Sequence, residues 1–201
     1  MHIIMKPNLA LFDFDGTITR KDTMFEFIIF VRGRFTFCGL MFLVLPWLLG
    51  LKLGLSSAQR VKEKLLRLAI GNLTVQKFAK LCDDFCASQL PSLIRPEAMR
   101  AIETHLQQGN KVAIVSASPE NWIQPWAKLK DLEVISTRLM IVDNHITGII
   151  NGLNCNGAEK VVRVKNDLNL SSFDKIYAYG DSKGDREMLA LADFPFYRKF
   201  E

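Results

Sequence analysis

The run Asp13-Phe14-Asp15-Gly16-Thr17 is the densest chemical signal in the chain. Two carboxylates at i and i+2 on the end of a strand point alike, and Gly16 permits the tight turn and close backbone approach that a phosphate needs. Thr17 suits the turn that follows. Crowded carboxylates repel unless a proton or a cation intervenes, so a hard, oxygen-seeking cation is their natural companion. A second acidic group lies far downstream in Gly180-Asp181-Ser182-Lys183-Gly184-Asp185, after another apolar run. Ser116 ends a third such run, and Lys160 follows Gly157 near the start of a helical pattern. Taken singly, Ser116 reads equally as a strand-end cap, Lys160 as a surface lysine, and Asp181 and Asp185 as acids favoured at a helix N-terminus. Taken in order, they offer carboxylates, a hydroxyl and an ammonium to one place.

What positions them is a sheet. Short apolar runs at residues 9–14, 112–115, 176–179 and 194–197 read as buried parallel strands. Helical patterns fall at 96–108, 120–130, 159–168 and 185–192. Strands alternating with helices predict an α/β, Rossmann-like parallel-sheet core whose strand ends gather along one edge. Residues 139–150, with Asp143-Asn144 at the turn, read as a hairpin excursion near the sheet edge. From Thr23 to Arg95 strand signals vanish and helices take over, so residues 20–95 are expected to form an inserted α-helical cap. The core is then 1–19 together with 96–201.

In that order DFDGT, the strand-ending Ser, the Lys and GD-x-x-x-D resemble the haloacid dehalogenase superfamily, and within it the phosphoserine-phosphatase-like subgroup with a helical cap inserted after the first motif. The resemblance spans Leu9 to about Tyr197. It implies a phosphatase that uses Mg2+ and works through an aspartyl-phosphate. By that resemblance Asp13 is the nucleophile, and Asp15 is the general acid that then activates water. Ser116 and Lys160 bind the phosphoryl group beside Gly16 and Thr17. Mg2+ is held by the Asp13 carboxylate, the Asp15 backbone carbonyl and Asp181, with Asp185 close by or acting through water. The subgroup's small-substrate members carry an acid a few positions after the first motif, and Asp22 occupies that neighbourhood. Asp22 reads equally as a helix N-cap ahead of Met24.

Composition excludes other classes. The 201 residues are 49% hydrophobic and 23% charged, which suits a packed globular chain rather than a disordered one. Cys38, Cys82, Cys86 and Cys155 form no C-x-x-C pair, and Cys82 and Cys86 stand one helical turn apart, so reduced thiols and a cytoplasmic location are expected. The N-terminal ten residues lack an apolar h-region and a cleavage site, so no secretory signal is expected. His2, His105 and His145 match no catalytic motif, and G-x-S-x-G and P-loop patterns are absent.

Charge is uneven: residues 17–95 carry 12 basic and 5 acidic side chains, and the remainder sums to −2. A basic middle suits an anionic partner or a solvated helix face. Its basic residues are interleaved with aliphatic runs rather than stacking aromatics, which argues against nucleic acid. Residues 35–51 contain no charge, lie between Arg34 and Lys52, and are interrupted by Pro46. A single membrane crossing would separate Asp13 from Ser116, Lys160 and Asp181. The segment is therefore read as either the buried inner helix of the cap or an element dipping into an anionic bilayer at the inner face of the cytoplasmic membrane. Its apolar character resembles the cap of bacterial phosphatidylglycerophosphatases of the same subgroup, which implies a lipid phosphate substrate. The alternatives are a small soluble phosphomonoester such as phosphoserine, and a noncatalytic membrane adaptor.

Overall fold

The computed structural model describes residues 6–201. His2 and the reading of the N-terminal segment lie outside the described residues, apart from positions 6–10.

Among the described residues the first element is β1 (Leu9–Phe12), every residue of which is buried. Thr19 bridges to Ile94, and Arg20 N–H donates to Leu93 O at 2.8 Å while Arg95 N–H donates to Ile18 O at 2.8 Å. The outgoing and returning chains therefore run side by side. Between them lie α1 (Thr23–Arg32), α2 (Arg34–Lys52), α3 (Ala58–Ile70), a two-residue strand β2 (Leu73–Thr74), α4 (Val75–Ser88) and α5 (Leu90–Leu93). Asp22 starts α1 by accepting from Met24 N–H and Phe25 N–H, and Gly33 ends it. Ser57 and Thr74 cap α3 and α4 in the same way.

The chain continues through α6 (Pro96–Gln107), β3 (Lys111–Pro119), a 3₁₀ turn at Glu120–Trp122, α7 (Gln124–Lys128), β4 (Glu133–Thr137), β5 (Leu139–Val142) and β6 (His145–Ile150). It closes with α8 (Ala158–Asp167), β7 (Ile176–Gly180), α9 (Arg186–Leu191) and β8 (Phe194–Tyr197). The main sheet has the order β4-β3-β1-β7-β8, all parallel. The α/β reading with a parallel core and helices after the first strand therefore stands. The period-2 alternation of β1 divides the core. Ala10 and Phe12 face a cluster with Phe27, Ile114 and Trp122, while Leu9 and Leu11 face one with Val115, Val164 and Met188 under α8 and α9.

The hairpin expected over 139–150 forms as β5–β6, directly after the edge strand β4, and pairs with β2 in a separate antiparallel sheet of order β2-β6-β5. Four expectations are corrected. Strand structure does occur between Thr23 and Arg95, in a two-residue segment too short to show alternation. The helix expected over 120–130 is split, because Pro125 follows a tight turn. Strand β4 joins the main sheet although its sequence EVIST is half polar.

The fourth correction concerns α2. It runs unbroken through Pro46, so the proline does not interrupt it. Nor is it a buried inner helix, since only Leu40 and Val44 are buried and Phe35 is 96% exposed. The four cysteines are free thiols, and Cys82 is buried in the packing of α4.

The small sheet sits against α3 through one glycine. Gly148 has φ +74°, and a Cβ there would fall 2.5 Å from the backbone N and Cα of Arg67. Gly148→Ala should cost about 2–4 kcal/mol by combining positive-φ strain with a backbone clash. Urea unfolding of the two proteins measures it.

Candidate active site

Lys160 is the centre of the site. It lies in the first turn of α8, where Gly157, at φ 60°, starts the helix and donates its N–H to Gly184 O at 2.9 Å. Its side chain is 1% exposed. The ammonium donates to Asp13 Oδ1 at 2.5 Å, Asp185 Oδ1 at 2.6 Å and Val115 O at 2.7 Å, which occupies all three of its protons. Three chain segments, the end of β1, the middle of β3 and the turn after β7, thus meet on one buried cation. Burial alone would push Lys160 down, but Asp13 and Asp185 together hold it above the ordinary lysine range.

Asp13 is fixed by its own backbone, whose N–H donates to Tyr179 O at 2.9 Å. Burial pushes its carboxyl up to about 8 against the pull of Lys160, with Asp185 and Asp15 adding repulsion. Asp185 is buried as well, yet Lys160 and its hydrogen bonds outweigh burial and hold it below the usual carboxylate range. Its Oδ2 accepts from Ser182 Oγ at 2.8 Å, Ser182 N–H at 2.9 Å and Asp181 N–H at 3.2 Å. Gly180 leaves the room this needs, since a Cβ there would stand 2.5 Å from that of Asp185.

Asp181 completes an acidic cluster: oxygens of Asp13, Asp181 and Asp185 lie within 4.8 Å of one another. Burial and Asp185 raise the Asp181 carboxyl. Three carboxylates face one ammonium, so the cluster is short of positive charge. A hard divalent cation with oxygen ligands fits that donor set. Gly16 and Thr17 serve this cluster. Gly16, at φ +89°, packs so closely on the Asp181 carboxylate that no side chain fits, and Thr17 Oγ1 donates to Asp181 Oδ1 at 3.3 Å. Both lie beside Gly180 and Asp181, on the side of the acidic cluster near Arg198 and Lys199.

Asp15, two residues beyond Asp13, lines the same cavity, as the i and i+2 spacing leads one to expect. Its Oδ1 accepts from Thr23 N–H and Thr23 Oγ1, both at 2.6 Å. The indole of Trp122, fully buried and stacked on Phe27 at 4.7 Å, donates to Thr23 Oγ1 at 3.1 Å. An indole only donates, so the Thr23 hydroxyl is turned toward Asp15. The other oxygen, Oδ2, is 3.4 Å from Ser116 Oγ. Ser116 is fully covered and also accepts from Ser118 N–H at 3.0 Å.

A cavity of about 220 Å³ joins these groups and is lined by Asp13, Asp15, Asp22, Lys62, Ser118 and Asn156 among others. At the end of β3 its wall is Ala117 and Ser118 rather than Ser116. Asp22 caps α1 and also lines the cavity; burial and Asp15 push it to about 6.

The sequence reading missed Lys62, Asn156 and Ser182. Lys62 extends from α3 and donates to Ala117 O at 2.6 Å and Asn154 Oδ1 at 3.0 Å. The irregular register between Ser116 and Pro119 exposes that carbonyl. Burial pushes Lys62 down to about 8. In sequence it stood in Arg60-Val61-Lys62-Glu63-Lys64, which looks like a solvated helix face; the basic excess of residues 17–95 was its only signal. Asn156 fills the notch left by Gly184, where a Cβ would collide with its amide.

Acids, a buried lysine and a hydroxyl thus gather where the strands of a parallel α/β sheet end, the arrangement of a hydrolase with an α/β fold. The chain belongs to the haloacid dehalogenase-like hydrolase family, whose model matches residues 10–190. It is 35% identical over 202 residues to Protein CicA of Caulobacter vibrioides strain NA1000 / CB15N, covering 97% of this chain and 87% of that protein. Among solved structures, a Bordetella pertussis Tohama I protein of unknown function superposes with a TM-score of 0.78 at 22% identity, covering 96% of this chain and 89% of the other. A substrate-bound phosphoserine phosphatase superposes with a TM-score of 0.65 at 19% identity, covering 93% and 83%. These two likenesses show the fold.

Asp185→Ala leaves Lys160 short of a partner and unpairs two backbone N–H groups, so it should cost about 3–5 kcal/mol in urea unfolding. Asp181 is half-buried and accepts one long bond, so Asp181→Ala should stay within about 1 kcal/mol of the parent. Equal losses in the two variants would contradict the central role of Lys160.

Proposed function

We propose that the protein is a Mg2+-dependent phosphomonoester phosphatase in which Asp13 carries the phosphoryl group. The observation that carries this reading is the ammonium of Lys160 held between Asp13 and Asp185. It fixes the Asp13 carboxylate at the mouth of a polar cavity and offsets negative charge where a phosphoryl group would arrive. Asp13, Asp181 and Asp185 are the carboxylates that would hold Mg2+, which supplies charge neutralisation for the phosphoryl oxygens.

The chemistry follows from the two aspartates. An Asp13 oxygen bonds to phosphorus as the bond from phosphorus to the ester oxygen breaks, and Asp15 gives its proton to that leaving oxygen. Thr23 holds Asp15 Oδ1, so Oδ2 is the oxygen placed to carry the proton. Water then attacks phosphorus, Asp15 takes a proton back, the bond from phosphorus to Asp13 breaks and inorganic phosphate leaves. Ser116, directly behind the cavity wall at Ala117 and Ser118, is the hydroxyl this reading assigns to a phosphoryl oxygen once substrate seats, and Lys62 with Asp22 meets the leaving group from the side of α1 and α3. The helices between β1 and α6 act as the cap over this site.

The leaving group we favour is a lipid headgroup, with the enzyme peripheral at a membrane. The exposed apolar helix α2, joined to the Lys62-bearing α3, supports that choice. A small soluble ester is favoured instead by the modest volume of the cavity, about 220 Å³, and by the fold shared with phosphoserine phosphatase.

Phosphate release from phosphatidylglycerophosphate in mixed micelles and from O-phosphoserine separates the two, with Asp13→Asn as the blank. The lipid ester should be preferred by about tenfold or more in kcat/KM. Preference for O-phosphoserine returns the substrate to the soluble class, and turnover in Asp13→Asn sinks the mechanism. Removal of Mg2+ by EDTA should abolish release, and added Mg2+ should restore it.

Lys62 gives a pH test. Its lowered pKa, about 8, means that it is charged below that value and neutral above it. KM for an anionic substrate should therefore rise as pH passes about 8. Lys62→Met should raise KM at neutral pH and remove that rise.

A further inference from the structure

The outer face of α2 is an exposed apolar surface that the chemistry leaves unused. Its inner seam, Phe37, Leu40, Met41, Val44 and Leu48, packs on the core. Phe35, Phe42, Leu43, Leu45 and Leu49 point away, and Leu53 and Leu55 extend the patch beyond the helix, each about three-quarters exposed at 74% and 76%. Contiguous apolar exposure of this kind marks an interaction site.

Charge identifies the occupant. No acidic residue lies between Phe27 and Lys62, whereas Arg32, Arg34, Lys52 and Arg60 are all basic. Arg34 and Lys52 stand at the two ends of α2. A second copy docked on this face would set basic end against basic end, whichever way the two helices ran. Anionic lipid headgroups supply the missing negative charge. The contact of Lys160 with Asp13 places the segments before and after α2 on one side of any membrane. The helix therefore lies in the interface and does not cross.

At the α2–α3 corner a separate cavity of about 280 Å³ is lined by Pro46, Trp47, Gly50, Leu55, Ser56 and Arg60. Ser56 Oγ is buried there without a hydrogen-bond partner. None of the ion pairs among the described residues includes Arg60, which lies in the first turn of α3. Lys64 Nζ stands 4.7 Å over the ring of Trp47, a side chain suited to headgroup depth. A guanidinium and an orphan hydroxyl thus line a pocket that opens beside the apolar face.

We propose that α2 docks in the interface of an anionic bilayer and that the cavity at Trp47, Ser56 and Arg60 seats the phosphate of a lipid headgroup, apart from the Asp13 site. This does not depend on which phosphomonoester is hydrolysed.

The test is co-sedimentation of the full chain with vesicles of phosphatidylcholine, with and without phosphatidylglycerol, at low and high salt. p-Nitrophenyl phosphate hydrolysis and thermal unfolding serve as controls. The wild type should bind the anionic vesicles selectively and release at high salt. Phe42→Ser combined with Leu49→Ser should weaken binding by about tenfold or more. Arg60→Gln should remove most of the preference for phosphatidylglycerol, and neither variant should alter the two controls. Failure of the wild type to bind either vesicle overturns the docking, as does a dimer in light scattering that the Phe42 and Leu49 substitutions dissociate. Undiminished phosphatidylglycerol preference in Arg60→Gln overturns the headgroup seat. Because binding is read without turnover, loss of the phosphatase reading leaves this result intact.

Discussion

Everything at the sheet edge depends on one buried ammonium. Taking Lys160 out of water is expensive, and the chain offsets that cost by giving it two carboxylates and a carbonyl from three separate segments. Because both carboxylates are themselves desolvated, neither can leave without stranding a charge. The end of β1, the middle of β3 and the turn after β7 are thereby locked together. The same interaction sets the electrostatics of the site, since one positive charge among Asp13, Asp181 and Asp185 leaves a deficit that a divalent cation and a phosphoryl group can share.

A second constraint runs from the core outward. Trp122 packs against Phe27 and holds Thr23, and Thr23 holds Asp15. The acid and base function proposed for Asp15 is thus oriented by hydrophobic packing between α1 and the turn after β3. Lys62 makes a comparable link on the other wall, because its bonds to Ala117 O and Asn154 tie α3 to the core. The helices that follow β1 therefore carry part of the site and do not merely cover it.

How much of this the sequence reveals depends on the range of the interaction. The strands around Leu11, Ile114 and Ala178 are continuous apolar runs, and their shared termination in Asp, Ser or Gly-Asp announced the sheet edge where Asp13, Lys160, Asp181 and Asp185 meet. Leu73–Thr74 offers no pattern to read, and β4 hides its buried face behind Ser136 and Thr137. Lys62 and Asn156 reach the cavity only through tertiary packing, so no local spacing marks them. For α2 the difficulty was different. An all-apolar helix has the same composition whether it is buried or exposed, and only the position of its neighbours shows that Phe35, Phe42 and Leu49 remain uncovered.

The central claim is that Asp13 becomes phosphorylated during turnover. Rapid quenching of the enzyme with a phosphomonoester and Mg2+, followed by borohydride reduction and peptide mass spectrometry, reads it directly, because an acyl phosphate is reduced to an alcohol whereas a free carboxylate is not. The account expects homoserine at position 13 in the turning-over enzyme and unmodified aspartate when substrate is omitted. Homoserine at Asp15 or Asp181, or efficient turnover with no reduced residue, would contradict it.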